Sequence, residues 1–189
     1  MMHTSFFLMT ALATLATAHP LLSSRQSTPC FVIGSVALPQ EVIDTDDAIA
    51  SSITCSGTDT TISGVPDVTS GSTTFSSINF EDSSDSPLGF ALSSFATVSP
   101  LADNSLSNFT DALNVYEATE AGIRSVGGSL AVKIPKFFLA FQVARIKTAQ
   151  GVEITDAGQT VEHLLGKVQS NAAGDPGLDE VATLATVLS

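Results

Sequence analysis

The sequence predicts an α+β protein that is mainly α, with a bundle of four to five helices and a small antiparallel sheet near the N-terminus. Segments whose apolar residues recur every three or four positions fill the chain after residue 86. Two of these segments begin with a cap residue followed by proline, Ser86-Pro87 and Asp175-Pro176, which is a common helix start. Short β-branched runs bounded by Gly, Pro and Ser occur before that point and place the sheet in the first half.

In the first half, residues 30–36 form an apolar, β-branched run and are predicted to be a strand. Pro39 is predicted to open a helix that ends near Cys55. Residues 60–65 and 73–80 are predicted to be strands joined as a hairpin through a turn rich in Gly, Pro and Ser.

The second half is predicted to be helical throughout. One helix follows Ser86-Pro87, and the others cover residues 105–126, 135–149, 155–169 and 176–188. The helix over 135–149 is apolar on two sides, with Phe138 and Phe141 on one side and Val143 on the other. A helix that is apolar on two sides is enclosed by neighbours, so this helix is predicted to be central.

The N-terminus carries the pattern of a secretory signal. A short apolar run ends in Ala16-Thr17-Ala18, so residues 1–18 are predicted to be a signal peptide cleaved after Ala18. Residues 19–28 read as a disordered leader or a pro-segment trimmed at Arg25, and residues 29–189 as a single globular domain. The apolar runs are too short or too charged to span a bilayer. We therefore expect a secreted, extracellular protein.

An extracellular location predicts two covalent modifications. Cys30 and Cys55 form an even pair in an exported chain and are predicted to make a disulfide, with two free buried thiols as the alternative. Asn108 begins the sequon Asn-Phe-Thr and is predicted to face away from the core, where a glycan can be attached.

Charge is distributed unevenly along the chain. The formal net charge is −12, and residues 26–123 contain thirteen acids and no Lys or Arg. Five of the seven basic residues fall within residues 124–147. An acidic surface argues against nucleic acid and anionic lipid as partners.

Glu120 and Arg145 stand out because each falls on a helix side where an apolar residue is expected. We predict that they are buried and pair with each other, either as a register-fixing pair or as a polar anchor in a ligand pocket. The alternative partner for Glu120 is Arg124, one helical turn further on.

The motifs of common active and metal sites are not matched. Of the three histidines in the sequence, His163 alone lies far from the predicted N-terminus of the mature chain. Because His163 is predicted to be exposed, a hydrolase with a Ser-His-acid triad is the least favoured function. A copper site formed by His19 and His163 is disfavoured by Pro20. Neither an EF-hand nor a di-iron Glu-x-x-His pair is present in the sequence, so no metal or cofactor is predicted.

Three segments, residues 64–71, 75–80 and 116–128 continuing to 147–151, resemble small secreted proteins of filamentous ascomycete fungi that form a family of unknown function. The resemblance spans nearly the whole mature chain, including the start at Cys30-Phe31-Val32. It implies secretion and a single domain, and it implies no activity.

These observations predict a small secreted non-enzymatic protein, effector-like or associated with the cell wall, whose partner is a wall or host macromolecule. The alternative is an extracellular carrier for a small apolar ligand held in a helical core, with Glu120 and Arg145 at its mouth.

Overall fold

The computed structural model describes residues 28–187, so the predicted signal peptide, most of the predicted leader, Arg25 and His19 lie outside the described residues. The described chain forms six α-helices and one antiparallel sheet of three strands, in the order β1-β2-β3. The helices are α1 Gln40–Ile49, α2 Pro87–Ser94, α3 Leu106–Ser125, α4 Lys133–Ala149, α5 Val161–Asn171 and α6 Leu178–Thr186. The strands are β1 Ile53–Thr60, β2 Pro66–Ser70 and β3 Thr73–Thr74. The predicted fold class is confirmed.

The helix starts follow the cap residues in the sequence. Ser86, Ser105 and Thr160 each accept a hydrogen bond from the backbone N–H three residues on, at the first turns of α2, α3 and α5. The α3 helix ends just before Gly127, whose φ of 71° is a left-handed conformation that glycine adopts without strain. Local chemistry therefore sets three of the six helix starts in residues 28–187 and the end of α3. The helices α1, α4 and α6 begin without a side-chain cap, and α6 begins at Leu178, after the predicted start at Asp175-Pro176.

Helix α4 is the centre of the fold, as predicted. It packs against α2, α3 and α5, and every residue from 138 to 146 is buried. The sheet and α1 lie against α3, and α6 lies against α5. Tyr116 of α3 joins the two halves, because its ring contacts Phe75 and Phe95 edge-on and its hydroxyl donates to the Ile78 carbonyl at 2.6 Å.

The predicted strand over residues 30–36 is wrong, because the backbone donors of this segment are satisfied by α3 and not by a ladder. The N–H groups of Ile33 and Gly34 donate to Ser125 Oγ at 3.2 and 2.9 Å, and Val36 N–H donates to the Ser125 carbonyl at 2.9 Å. The segment crosses α3 closely at Gly122, where a Cβ atom would lie 2.6 Å from the Phe31 carbonyl oxygen.

The sheet is also placed differently from the prediction. The first helix ends at Ile49, and Cys55 lies in β1 and not at a helix end. The predicted strand over 60–65 is wrong, because Ser63 and Gly64 have φ angles of 57° and 79° and turn the chain from β1 into β2. The predicted strand over 73–80 is wrong beyond Thr74, where a 3₁₀ turn begins.

The predicted disulfide is confirmed, since Cys30 is bonded to Cys55. It joins the N-terminal segment to the edge strand β1 of the sheet. Among residues 28–187, no helix combines the length and the apolar character needed to cross a membrane.

Candidate functional site

A surface cleft of about 380 Å³ lies between α1, α3, α4 and α5, and we call it the charged cleft. Its acidic lining residues are Glu41, Asp46, Glu117 and Glu120. Its basic lining residues are Arg124, Lys133, Lys136 and Lys167, and His163 also lines it. Four of the seven Lys and Arg residues in the chain thus line a single cavity of a protein whose net charge is −12.

Helical spacing brings these side chains to one place. On α3, Glu117, Glu120 and Arg124 are three and four residues apart and share a helix side. On α4, Lys133 and Lys136 share a side in the same way. Glu41 and Asp46 on α1 and His163 and Lys167 on α5 complete the walls.

Glu120 is the fixed centre of the cleft and is only 2% exposed. Its Oε1 accepts a hydrogen bond from Arg124 Nε at 2.7 Å and lies 2.7 Å from Arg124 Nη2, and its Oε2 lies 2.6 Å from Lys136 Nζ. Both carboxylate oxygens therefore have cationic partners. The predicted burial of Glu120 is confirmed, and its predicted pairing with Arg145 is wrong. The alternative partner Arg124 is correct, but the pair is mostly buried and is not the surface pair that i,i+4 spacing alone predicts.

Two lysines of the cleft are also held by an aromatic ring. Lys136 Nζ lies 4.1 Å and Lys133 Nζ 5.8 Å from the ring centroid of the half-buried Phe137. Such cation–π contacts fix the position of an ammonium group without neutralising it. Lys133 and Lys167 have no ion-pair partner within residues 28–187, so they retain their charge for a ligand.

Asp46 and Glu117 are two carboxyl groups that hold their protons unusually tightly. Burial, together with the nearby carboxylates Glu117, Asp47 and Glu120, raises the pKa of Asp46 to about 7. Burial and Glu120 raise the pKa of Glu117 to about 7, against the opposing effect of Lys136. Asp46 Oδ1 is buried and finds no hydrogen-bond partner among residues 28–187. Perturbed carboxyls in a cleft are typical of functional sites.

The substitution Asp46→Asn is expected to remove a pH dependence of stability. Between about pH 4 and pH 7 the unfolded chain loses the Asp46 proton while the folded protein keeps it. The free energy of unfolding therefore falls as the pH rises through this range, until Asp46 is ionised in both states above about pH 7. We expect Asp46→Asn to match the wild type at pH 4 and to exceed it by about 1–3 kcal/mol at pH 8 in urea denaturation. The control is Asp44→Asn on the exposed side of α1, and equal slopes for all three proteins would contradict the burial of a protonated Asp46.

Arg145 lies elsewhere and is also buried, at 2% exposure. Its guanidinium donates to Gln142 Oε1 and to the Val187 carbonyl, and it lies 5.6 Å from the Phe141 ring centroid. Burial lowers the pKa of Arg145 from its ordinary value. It lines a second, smaller cavity beside α6, so the structure places Glu120 and Arg145 in two separate sites.

The remaining residues singled out in the sequence have simpler positions. His163 is exposed, as predicted, and borders the charged cleft. Asn108 is exposed in the first turn of α3, and its glycosylation stays a prediction. The sequence does not support a calcium loop at Asp46, and its pattern predicts that the acids of α1 are solvated; that prediction is wrong for Asp46, which is buried. Sequence reasoning missed Glu117 and the cleft lysines, although the clustering of basic residues after position 123 was a signal of the basic wall.

The cleft is suited to binding a polar molecule, because around one cavity it offers two lysines without an ion-pair partner in residues 28–187, two carboxyls with raised pKa values and an aromatic ring. Within residues 28–187, no three His, Cys, Asp or Glu side chains are grouped so that they could hold a metal ion.

Fold and site together define an α+β domain, mainly helical, with a charged ligand-sized cleft on its helical face. The chain belongs to the family of the domain of unknown function DUF7143, which matches residues 32–189. No curated protein matches the chain, and no solved structure matches it.

Proposed function

We propose that this protein is a secreted, non-enzymatic binding protein that captures a small hydroxylated organic anion, such as a sugar acid, in the charged cleft. The observation that carries the proposal is the placement of four of seven basic residues on one cavity of a strongly acidic chain. An acidic surface repels anions, so an anionic ligand would be held where positive charge is concentrated. The predicted signal peptide and the disulfide support an extracellular setting.

Lys133 and Lys167, which have no ion-pair partner in the described part of the chain, supply the anion-binding groups. Arg124 and Lys136 are committed to Glu120, whereas Lys133 and Lys167 reach the cleft from two different helices. Asp46 and Glu117, when protonated, can donate hydrogen bonds to hydroxyl or carboxylate oxygens of a ligand. A cavity of about 380 Å³ is within the usual range for small-molecule sites.

We favour binding over hydrolysis because of the state of Glu120. A two-carboxylate hydrolysis needs one protonated and one free ionised carboxylate on the substrate. Asp46 or Glu117 could serve as the acid, but Glu120 has both oxygens engaged by Arg124 and Lys136. A protein that binds acidic sugars outside the cell could act as an effector or be associated with the cell wall. Such a role is consistent with the resemblance to secreted fungal proteins.

The affinity for the anion is expected to depend on pH and on the two lysines. Galacturonate should raise the melting temperature at pH 5.5, where Asp46 and Glu117 are protonated, and should bind roughly tenfold or more weakly at pH 8.5, where both are ionised. The double variant Lys133→Met/Lys167→Met should lose roughly tenfold or more in affinity at pH 5.5, measured by isothermal titration calorimetry.

Two controls accompany this test. Lys147→Met removes a lysine of α4 that does not line the cleft and should bind as the wild type does. Galactose is the neutral counterpart of galacturonate. Equal binding of the neutral sugar, or full binding by the double variant, would exclude anion capture by these lysines.

A further inference from the structure

The second cavity contains a cation for which residues 28–187 supply no acidic partner. The Arg145 guanidinium has five N–H donors, and among residues 28–187 it makes two hydrogen bonds, both to neutral oxygens. Its Nε is buried without any partner in that range. No carboxylate of residues 28–187 forms an ion pair with it, although the chain has nineteen acids.

A buried guanidinium normally has an anionic partner. Taking an unpaired charge out of water is costly, and buried charges are therefore paired or bound to a ligand. Arg145 instead faces two neutral acceptors and the Phe141 ring. Its position is set by its neighbours on α4, where every residue from 138 to 146 is buried. The site thus holds a positioned cation with unused donors.

The cavity around Arg145 has about 180 Å³ and is otherwise largely apolar. Val98, Leu101, Leu184 and Val187 contribute most of its apolar wall. Val98 and Val187 are 62% and 49% exposed, which leaves apolar surface in water at the rim. A dry cavity of about 150 Å³ is known to accept benzene, so this one is large enough for a six-membered ring or a branched chain of similar size.

We propose that this cavity binds a small monocarboxylic acid with an aromatic or branched aliphatic body, whose carboxylate pairs with the Arg145 guanidinium while its body contacts Val98, Leu101 and Leu184. The carboxylate would supply the missing counter-charge, and the apolar body would cover the exposed valines. Arginine suits this role because its planar fork matches the geometry of a carboxylate. The site is independent of the charged cleft and of the function proposed for it.

The test uses benzoate and its neutral counterpart benzyl alcohol. Benzoate should bind saturably, and benzyl alcohol should bind roughly tenfold or more weakly, because a hydrogen bond to a charged group is worth more than a neutral one. In NMR titrations of the secreted protein, the amides that shift should be those of residues 97–101 and 183–187, on the walls of the cavity. Lys133→Met/Lys167→Met should bind benzoate as the wild type does, which separates this site from the charged cleft.

Arg145→Met should remove the preference for benzoate over benzyl alcohol, whereas Lys147→Met on the same helix should keep it. If Arg145→Met does not fold, Thr183→Trp, which fills the cavity from the exposed side of α6, should lower the benzoate affinity roughly tenfold or more. Equal affinities for benzoate and benzyl alcohol, shifts confined to the charged cleft, or no saturable binding would each overturn the proposal.

Discussion

Reversing the charge at Glu120 is expected to destabilise the fold by about 3–5 kcal/mol, because it replaces the buried anion of a three-residue ion cluster with a third cation. Arg124 and Lys136 lie within 2.7 Å of the Glu120 oxygens and are themselves mostly buried. In Glu120→Lys these three side chains would repel one another in a site with little water. For a domain of this size, we expect a fall in melting temperature of roughly 10 °C.

Two further variants show whether the loss of stability comes from the added positive charge, from the missing anion or from both. Glu153→Lys makes the same charge change on an exposed loop residue and should melt within about 2 °C of the wild type. Glu120→Gln removes the charge without adding a cation and should fall between the two, since it leaves Arg124 and Lys136 without an anion. A Glu120→Lys protein as stable as Glu153→Lys would show that the cluster contributes nothing to the fold.

Removal of the Cys30–Cys55 disulfide is expected to lower the free energy of unfolding by about 3.5 kcal/mol, the loop-closure value for a crosslink over 25 residues. The crosslink keeps the segment from Phe31 to Val36 next to α3 in a folded chain. That segment has few other attachments, namely the buried ring of Phe31 and the backbone bonds to Ser125. We therefore expect the segment to detach first when the bond is absent.

The measurement is urea denaturation of the wild type and of Cys30→Ala/Cys55→Ala, each with and without dithiothreitol. Reductant should bring the wild type close to the variant and should leave the variant unchanged. Hydrogen exchange in the variant should increase first at Ile33 and Gly34, whose amides bond to Ser125. A variant as stable as the oxidised wild type would mean that α3 holds the segment without the crosslink.

Local chemistry determined the starts of three helices in the second half of the chain. Ser86, Ser105 and Thr160 cap their helices through a side-chain oxygen, and this interaction is complete within three residues. The two-sided apolar pattern of α4 required neighbours on both sides, and the structure has them. The burial of Glu120 could be read from its position among apolar residues of α3 for the same reason, since helical spacing determines which residues share a side.

The N-terminal segment shows a limit of predicting structure from local sequence. Residues 30–36 have the composition of a strand, but a strand also needs a partner with free backbone groups. Here Ser125, about ninety positions away, takes up their donors, and β1 pairs with β2 instead. Composition carries no information on which of these partners is nearer in space.

The same limit applies to the site. Glu120 and Arg145 each sit on the inward side of a helix, yet a helix pattern does not state which neighbour each side meets. Tertiary packing directs Glu120 toward Arg124 and Lys136 and directs Arg145 toward the end of α6. The sequence by itself determined that Glu120 and Arg145 are buried, because their burial follows local helical periodicity, whereas the burial of Asp46 became clear only from the packing of α1 against α3. Only the tertiary structure decided their partners and brought α1, α3, α4 and α5 together around one cleft, because those contacts join residues that are distant along the chain.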